Sequence, residues 1–461
     1  MSELPKGWVL TKFGNVLLSL NSGLNGKQNK TGEGIPVSRI ETIANQRIDM
    51  TRIGFLKDYD EEKIEKYRLH EGNILFSNIN SPAHLGKTAL CEKGIELYHG
   101  VNLLRLTVNE GIIPSLLNYY CKYIRGLGEF SAKAQHAVNQ SSLNQTKLKD
   151  FDIPIAPLNE QIRIADKLDS MLAKVDIAQA RLDKIPNILK RFRQSVLAAA
   201  TSGELTKEWR GDSVERVITD KYSAPKSWDL FIFEKLIDVV TSGSRGWAKY
   251  YSDQGSTFIR AQNINSDSLN LSDIAYVSLP EKAEGRRTKV EKDNLLITIT
   301  GANVTKAARV SEKLPDAYVS QHVALVKLKN NDLSPFLELF IKANNSGRGQ
   351  LLELAYGGGK PGLNLQNIKG LKVALPSIEE QKEIIRRVES LFNMADTVEK
   401  QYKDAKARTN RLTQSILAKA FRGELVPQDP NDEPASKLLT RIKVEQAKLK
   451  PAQTRKRKVV Q

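Results

Sequence analysis

The chain contains one long stretch twice: EQIRIADKLDSMLAKVDIAQARLDKIPNILKRFRQSVLAAATSGELT at residues 160–206, and EQKEIIRRVESLFNMADTVEKQYKDAKARTNRLTQSILAKAFRGELV at residues 380–426. The two copies align without a gap, 220 residues apart. The identical positions include Glu160/Glu380, Gln161/Gln381, Ile164/Ile384, Asp176/Asp396, Arg191/Arg411, Gln194/Gln414, Ser195/Ser415 and Gly203/Gly423. An ungapped match of this length indicates an internal repeat.

Both copies of this stretch have the apolar spacing of a long helix. Apolar residues step alternately by four and three positions from Ile164 to Val196, and the second copy repeats this stepping from position 384 to position 416. The spacing is typical of the seam of a coiled coil. Prolines precede both helices and a glycine follows each, as helix start and stop signals require. Pro186 lies inside the first helix and should kink or split it.

The repeat extends over the whole chain, although the rest of it is less similar. Pro5-Lys6-Gly7-Trp8 recurs 220 residues later as Pro225-Lys226-Ser227-Trp228. Short strand-like runs lie at residues 74–79, 101–108, 295–300 and 322–328, and helical patterns lie near 113–126 and 334–344. Each copy is therefore a variable mixed α/β domain of about 150 residues followed by a well-matched helix, which predicts an α+β fold.

We divide the chain into six segments on this basis. They are the first variable domain (1–157), the first helix (158–200), a linker (201–222), the second variable domain (223–376), the second helix (377–422) and a C-terminal segment (423–461). The last segment begins with a linker rich in Pro and Asp and continues as a short helix from Ala435 to about Leu449. It ends in a tail, residues 446–461, with six basic residues and no acidic one.

The charge balance favours a polyanion as partner. The 461 residues include 70 Lys and Arg against 53 Asp and Glu, for a net charge of +17, and eleven of these charges remain when the tail is left out. Such an excess favours nucleic acid first. We find no apolar run of the roughly 20 residues that a membrane span needs, and no signal peptide, so we expect a cytoplasmic protein without a membrane partner.

A search for catalytic and metal-binding motifs finds little. Five scattered histidines and two cysteines form no ligand spacing, so we predict no catalytic residue, metal or cofactor in this chain. Residues 81–88, SPAHLGKT, end like a phosphate-binding loop but lack its opening glycine, and the second copy keeps Lys306 while losing the glycine before it.

This near match supports an alternative function, a nucleic-acid-binding scaffold with its own nucleotide-dependent activity. The substitution Lys87→Ala separates the alternatives, because loss of ATP binding would support the scaffold and weaker, more salt-sensitive DNA binding would support a DNA reader. A third possibility, a coiled-coil adaptor without a nucleic-acid role, leaves the eleven positive charges outside the tail unexplained.

Polar and basic residues in the loops of the two variable domains are candidates for DNA contact. Asn and Gln can pair with adenine, and Arg or Lys with guanine or phosphate. The alternative for each polar residue is an ordinary role in a turn. The candidates are Arg39, Asn78, Asn80, Ser81, Lys87, Gln140 and Asn144 in the first copy, and Arg260, Thr298, Thr300, Asn303, Lys306, Lys360 and Asn364 in the second.

The chain resembles the specificity subunits of type I restriction-modification enzymes. The resemblance rests on the PKGW opening, the Pro-Leu-Asn-Glu-Gln run at 157–161 with its counterpart at 379–381, and two closing motifs, LKRFRQSVL at 189–197 and LTQSILAKAFRGEL at 412–425. These motifs occur in the order typical of that family and span essentially the whole chain.

The resemblance implies a non-catalytic subunit that reads DNA. Each variable domain would be a target recognition domain for one half of a bipartite, asymmetric site in double-stranded DNA. The two helices would pack antiparallel as a spacer and hold two modification subunits, which carry S-adenosylmethionine and methylate adenine. Restriction subunits, which use ATP and Mg, would complete the enzyme. A helix from Ile164 to Val196 is about 50 Å long, or roughly 15 base pairs.

Overall fold

The structure is a computed structural model that describes residues 4–138, 140–211, 215–218, 223–280, 286–357 and 361–449. It divides into two compact units, the first formed by Met1–Leu182 with Asp404–Gln461 and the second by Asp183–Lys403. These units cut across the predicted helical segments, because the helix of the second copy contributes residues to both units. The predicted fold class is confirmed: two mixed α/β domains, related by an internal repeat, with long paired helices.

The first unit contains the first variable domain. Its strands are β1 (Val9–Lys12), β2 (Leu17–Ser22), β3 (Ile35–Val37), β4 (Gly54–Leu56), β5 (Ile74–Phe76), β6 (Ile79–Asn80), β7 (Thr88–Leu90), β8 (Leu104–Val108), β9 (Gln135–Ala137), β10 (Gln140–Ser142) and β11 (Asp152–Ile155). Its helices are α1 (Glu61–Ile64), α2 (Pro114–Gly126), α3 (Glu129–Lys133), α4 (Gln145–Lys149) and α5 (Leu158–Leu182).

The second unit contains the second variable domain. Its helices are α6 (Ile185–Thr201), α7 (Lys207–Arg210), α8 (Ser334–Lys342), α9 (Gly347–Leu354) and α10 (Leu365–Lys369). Its strands are β12 (Arg216–Ile218), β13 (Ser223–Pro225), β14 (Asp229–Ile232), β15 (Ile237–Ser242), β16 (Tyr251–Ser252), β17 (Ser256–Ile259), β18 (Ala275–Val277), β19 (Leu295–Thr298), β20 (Ala307–Arg309), β21 (Ala317–Val319), β22 (Val323–Leu328) and β23 (Lys372–Leu375). Helix α11 (Ile378–Phe421) has residues in both units, and α12 (Ala435–Leu449) belongs to the first.

The two variable domains share one sheet topology. A four-stranded antiparallel sheet has the order β2-β8-β5-β7 in the first domain and β15-β22-β19-β20 in the second. A separate pair joins the start of each domain to its end: Val9 faces Ile155 in β1 and β11, and Asp229 faces Leu375 in β14 and β23. These registers differ by the 220 residues of the repeat, so the repeat extends to the pairing of individual residues.

Central strands are apolar because each sheet separates two cores. In β19 and β22, alternate residues such as Ile297 and Val326 face a core shared with α8. The residues between them, such as Leu296 and Leu325, face a second core under the loops. Since side chains alternate across a strand, a sheet that is covered on both faces requires continuous apolar runs. Each strand-like run predicted from the sequence contains a strand, although β8 begins at Leu104 rather than at 101 and β19 ends at Thr298 rather than at 300.

The long helices pair antiparallel within each unit. In the second unit, Arg193 of α6 contacts Asp396 and Glu399 of α11, while Ala200 packs in one core with Ile384. In the first unit, the C-terminal end of α11 lies near the start of α5, and residues 413–417 lie beside residues 169–176. The predicted split at Pro186 is also confirmed, since α5 ends at Leu182 and Pro186 occupies the first turn of α6.

The coiled-coil seam is less continuous than predicted. Ile164, Leu168 and Val196 are buried, whereas Ala178 and Val398 in the middle of the helices are exposed. Buried positions of the seam mostly belong to cores that also contain residues of a variable domain. Burial along the helices therefore follows the domains that pack on them as well as the helix pairing.

The C-terminal ends of α6 and α11 each pack against the start of a variable domain, and the contact is the same in both. Gly203 and Gly423 follow α6 and α11 with φ of +76° and +72°, a conformation that favours glycine. A Cβ at these positions would overlap the ring of Pro225 and Pro5 respectively. The end of the second helix thus packs on the start of the chain as the end of the first helix packs on the start of the second copy.

The predicted C-terminal helix is present as α12, with Ala435, Leu438, Leu439 and Ile442 buried in the core of the first unit. The predicted basic tail lies outside the described residues from position 450 onward. Among the described helices, none is long and apolar enough to cross a membrane. The cytoplasmic location stays a prediction.

Candidate nucleic-acid interface

In the first variable domain, the two polar stretches singled out in the sequence lie side by side. Ser141 of β10 pairs with Asn80 of β6, and the backbone N–H of Leu143 donates to the carbonyl of Asn78 at 2.8 Å. The backbone N–H of Leu24 donates to the His99 carbonyl at 2.7 Å, which adds the loop after β2. We call the described residues among 22–26, 77–81, 98–101, 135–138 and 140–143 the first loop end.

The second variable domain repeats this arrangement. Thr300 bridges to Gly362, and the backbone N–H of Gly301 donates to the Pro361 carbonyl at 3.0 Å. The backbone N–H of Gly243 donates to the Ser320 carbonyl at 3.3 Å. We call residues 242–246, 298–303, 318–322, 356–357 and 361–363 the second loop end. Lys360, a predicted contact within this surface, lies outside the described residues.

Several predicted polar residues have a local structural role. The Asn144 side chain accepts from the Lys147 N–H at 2.8 Å and caps α4, and Asn364 caps α10 in the same way at 2.9 Å. Asn80 donates to the Ser77 hydroxyl at 3.2 Å and accepts from the Ser81 N–H at 2.8 Å.

The remaining polar candidates differ in exposure. Gln140 is exposed, whereas Asn78, Ser81 and Thr300 are half-buried. Asn303 is half-buried too, and its amide donates to the Ala261 carbonyl at 3.4 Å. Thr298 is fully buried and therefore offers no surface to a ligand.

Four of the five predicted basic contacts lie among the described residues, and each of these four is engaged within the chain. Lys87 donates to the Ala44 carbonyl at 2.5 Å. The other three form ion pairs with an acidic residue: Arg39 with Glu41 at 3.0 Å, Arg260 with Asp273 at 3.2 Å and Lys306 with Asp267 at 3.2 Å. These four side chains are half-buried, and their contact with DNA stays a prediction.

The near match to a phosphate-binding loop does not have the geometry of one. Such a loop cradles phosphate with free backbone N–H groups. Here the N–H of Leu85 donates to the Ser81 carbonyl, that of Gly86 to Ser77 and that of Lys87 to His84, at 2.8–3.3 Å. Since the lysine amine is also engaged, the donors that would hold a nucleotide are already used.

Two corresponding loops that were not predicted as DNA contacts also belong to the loop ends. Both loop ends contain Ser-Gly-x-x-Gly, at 22–26 and at 242–246. A Cβ at Gly23 or Gly243 would overlap backbone of the neighbouring loop, so a close approach requires glycine there. The turns present Asn25 in one copy and Arg245 in the other, both exposed. Because the same motif recurs 220 residues later, the sequence repeat could have predicted these two loops.

The second loop end also borders an aromatic cavity of about 300 Å³. Trp247 stacks on Phe258 with ring centroids 5.7 Å apart, and Tyr251 meets Phe258 edge-on at 5.7 Å. The exposed side chains of Gln262 and Gln321 line its mouth. Lys27 stands at the position of the first copy that corresponds to Trp247, so the two loop ends differ in chemistry.

Among the described residues, no three His, Cys, Asp or Glu side chains are grouped as metal ligands would be. Burial lowers the pKa of His99 to about 4, so this imidazole is neutral, and it hydrogen-bonds the Leu103 carbonyl at 2.9 Å. Burial also raises the pKa of both thiols, that of Cys91 to about 11. These groups have the properties of core residues rather than of reactive ones.

Comparisons with known proteins match type I restriction specificity proteins. The family model described as type I restriction modification DNA specificity domain matches residues 5–187 and 231–406. The EcoBI specificity subunit of Escherichia coli, a type I restriction enzyme subunit, is 39% identical over 324 residues, which cover 68% of each chain. The EcoKI specificity subunit of E. coli strain K12 is 31% identical over 468 residues, covering 96% of this chain and 97% of that one.

A solved structure supports the fold. A chain from a study of complex assembly and conformational transition of the type I R-M system superposes with a TM-score of 0.64. The superposition covers 92% of this chain and all of that one, at 16% sequence identity. At that identity the likeness concerns the fold alone.

Proposed function

The chain belongs to the type I restriction-modification DNA specificity family, and we propose that it reads a bipartite, asymmetric DNA site through its two variable domains. Each domain takes one half-site of double-stranded DNA at its loop end. The helices set the gap between the half-sites. The chain is a DNA specificity subunit, and in this proposal the chemistry resides in its partners.

One observation carries the proposal: the two domains share a topology and register but differ at their loop ends. The sheets have the same strand order, and Val9↔Ile155 matches Asp229↔Leu375. In contrast, Asn25 of the first copy corresponds to Arg245 in the second, and an aromatic cavity borders the second loop end. One scaffold with two different polar surfaces is what unequal half-sites require.

The helices are the proposed docking surface for two modification subunits, which bring S-adenosylmethionine. Within the second unit Ile188 and Met394 are 58% and 61% exposed, and within the first unit Ile177 and Leu412 are 56% and 50% exposed. These exposed apolar side chains on the paired helices of both units support a protein contact there. Restriction subunits, with ATP and Mg, would join the same assembly.

Methylome sequencing tests the proposal. A host that expresses this chain with its modification subunit should methylate adenines in one bipartite motif that is absent from cells with the modification subunit alone. Replacing residues 1–157 with the corresponding domain of a relative should change one half-site and leave the other half-site and the gap unchanged.

A matched exchange of residues 223–376 should change the other half-site only. Changes in both halves from one exchange would contradict independent reading. The nucleotide-dependent alternative would require ATP binding by the purified chain that Lys87→Ala abolishes, whereas we expect Lys87→Ala to affect only DNA affinity and its salt dependence.

A further inference from the structure

The aromatic cavity at the second loop end has preformed walls. Trp247 and Phe258 line it and are each 6% exposed, while Tyr251 lines it with 48% exposure. We call these three residues the aromatic wall. Trp247 stacks on Phe258 and also meets Tyr318 edge-on at 5.7 Å. Because the indole packs on two rings, it holds its position without a ligand.

Two residues that line the cavity have a buried polar atom without a hydrogen-bond partner among the described residues. Ser320 is 5% exposed, and its Oγ is one of these atoms. The other is the Nε of Arg260, whose Nη2 contacts Asp273 at 3.2 Å. An unsatisfied buried polar group costs free energy, so these atoms favour a ligand that carries hydrogen-bonding groups.

The mouth of the cavity is polar. Gln262, Gln321 and His322 line it and are exposed, and we call them the polar rim. The Gln262 amide donates to Asp273 at 2.7 Å, and the Gln321 amide and the His322 imidazole share a hydrogen bond of 3.3 Å. The cavity thus combines aromatic sides with a polar opening. A nucleobase has the same two parts, since its faces stack on aromatic rings and its edge carries donors and acceptors.

The size and position of the cavity favour one base of DNA as its ligand. Its volume of about 300 Å³ lies at the lower limit of ligand pockets, which span roughly 300–1,000 Å³, so it suits a single flat ring system. Ser244, Ser320 and Gln321 belong both to its lining and to the second loop end, so DNA held there lies at the mouth. A base within the duplex exposes only its edge in a groove, and it reaches the buried Ser320 only by leaving the stack.

The first variable domain has no aromatic residue at the positions that correspond to Trp247 and Phe258. Lys27 stands at the position of Trp247, and Val37 stands at that of Phe258, two residues before the arginine that both copies share. Neither side chain offers a ring to a base. Unequal half-sites permit such a difference, since each domain reads its own sequence. The cavity therefore concerns only the half-site of the second variable domain.

We propose that the cavity holds one unstacked base of the half-site that the second variable domain reads. The base lies against the aromatic wall, and its edge hydrogen-bonds Ser320. This inference rests on the proposed function and adds a base-binding site to it. Ser320 and the polar rim select the base by the donors and acceptors on its edge, while the aromatic wall supplies stacking that every base can use.

Binding to duplexes that lack one base tests the inference. Methylome sequencing and the domain exchange supply the site and show which half-site belongs to residues 223–376. Each unmethylated base of the site is then placed in turn opposite an abasic sugar, and the affinity of the full chain with its modification subunit is measured. Because unstacking costs less where pairing is already lost, we expect binding about tenfold tighter or more at one position of this half-site, and at none of the other half-site.

Variants of Tyr251 link this position to the cavity. Stacking of one base on an aromatic side chain is worth roughly 5- to 150-fold in affinity, so Tyr251→Ala should weaken binding to the intact site within that range and abolish the tightening. Tyr251→Phe keeps the ring and should behave like the wild-type chain. Tyr276→Ala, which removes a tyrosine of the same domain outside the cavity lining, is the control. If Tyr251→Ala fails to fold by circular dichroism, Tyr251→Leu, which keeps much of the volume, replaces it.

Three results would overturn the inference and leave the proposed function standing. They are the absence of any position with tighter binding, tighter binding in the other half-site, and tighter binding that Tyr251→Ala leaves unchanged. Failure of the wild-type complex to bind the intact site would contradict the proposed function itself.

Discussion

Trp8 and Trp228 anchor the start of each variable domain to the helix that follows it. Each indole N–H donates to a carboxylate at 3.0 Å, Trp8 to Glu160 and Trp228 to Glu380. Both glutamates are buried, at 1% and 4% exposure. A buried carboxylate needs further partners to remain charged, and the two copies differ in this respect.

Glu380 has the partners that Glu160 lacks. Thr206 donates to Glu380 at 2.7 Å, and Arg210 forms an ion pair with it. The corresponding residues of the first unit are Val426 and Pro430, which can donate nothing from a side chain. One carboxylate oxygen of Glu160 therefore has no hydrogen bond among the described residues, and burial raises the pKa of Glu160.

Arg210→Ala should destabilise the second unit strongly. It leaves the buried carboxylate of Glu380 without its cation, for which breaking a buried pair typically costs about 3–5 kcal/mol. Denaturant unfolding followed by tryptophan fluorescence measures the change. Lys226→Ala, which breaks an exposed pair with Glu215, is the control and should cost at most about 1 kcal/mol. Equal costs would contradict the argument.

Glu160→Gln should stabilise the first unit at neutral pH. The folded-state pKa of Glu160 is raised, so ionisation on going from acid to neutral pH stabilises the unfolded chain more than the folded one. The gain from the neutral amide should therefore be largest at pH 7 and vanish as the pH falls below about 4, the unfolded pKa of Glu. Thermal melting across this range tests it, and a gain that does not depend on pH would refute it.

At the scale of elements, the two long helices differ in one respect. The first is two helices, α5 and α6, because Pro186 stands in the first turn of the second piece. Lys406 stands at the corresponding position of α11, which is continuous over 44 residues. A lysine retains the backbone N–H that a helix interior needs, whereas proline removes it.

Insertion of one heptad into each helix, between Leu182 and Ile185 and at the corresponding part of α11, should widen the gap of the DNA site. Seven residues add about 10 Å and nearly preserve the apolar face, which corresponds to roughly three base pairs. Methylome sequencing should report unchanged half-sites. The control replaces one heptad of each helix with a different heptad, so that the length is kept, and the gap should not change. Altered half-sites with an unchanged gap would contradict the role of the helices as a spacer.

At the scale of the whole molecule, α12 adds to the first unit a helix that has no counterpart among the described residues of the second unit. Leu438, Leu439 and Ile442 are buried against the first variable domain, and Gln446 donates to the Leu17 carbonyl at 3.2 Å. The core of the first unit therefore draws on residues separated by more than 400 positions in the chain.

Deletion of residues 435–461 should weaken the first unit selectively. Loss of three buried side chains, at about 1.5–3 kcal/mol each, removes roughly 5–9 kcal/mol as an upper range. Hydrogen exchange should then show lower protection in β5 and β8 and unchanged protection in β19 and β22. Deletion of 450–461 alone is the control for loss of the tail. Equal loss of protection in both sheets would contradict the assignment of α12.

Local patterns in the sequence were sufficient to predict the main helices and strands and their repetition. The four-three spacing predicts the helices, Pro186 predicts the split, and continuous apolar runs predict β19 and β22. Each of these effects acts within a few residues, through side-chain periodicity or a missing N–H. The DNA candidates came from residue type alone, and residue type does not reveal that Thr298 is buried or that Asn144 caps a helix.

The sequence by itself determined the internal repeat, the helix with its proline break and the family, because these are written in residue identities at fixed spacing. Only the tertiary structure decided which residues share a unit. Helix α11 contributes to both units, and Gly423 contacts Pro5 although the two residues lie near opposite ends of the chain. These contacts depend on long-range packing of the whole chain, which no local spacing specifies.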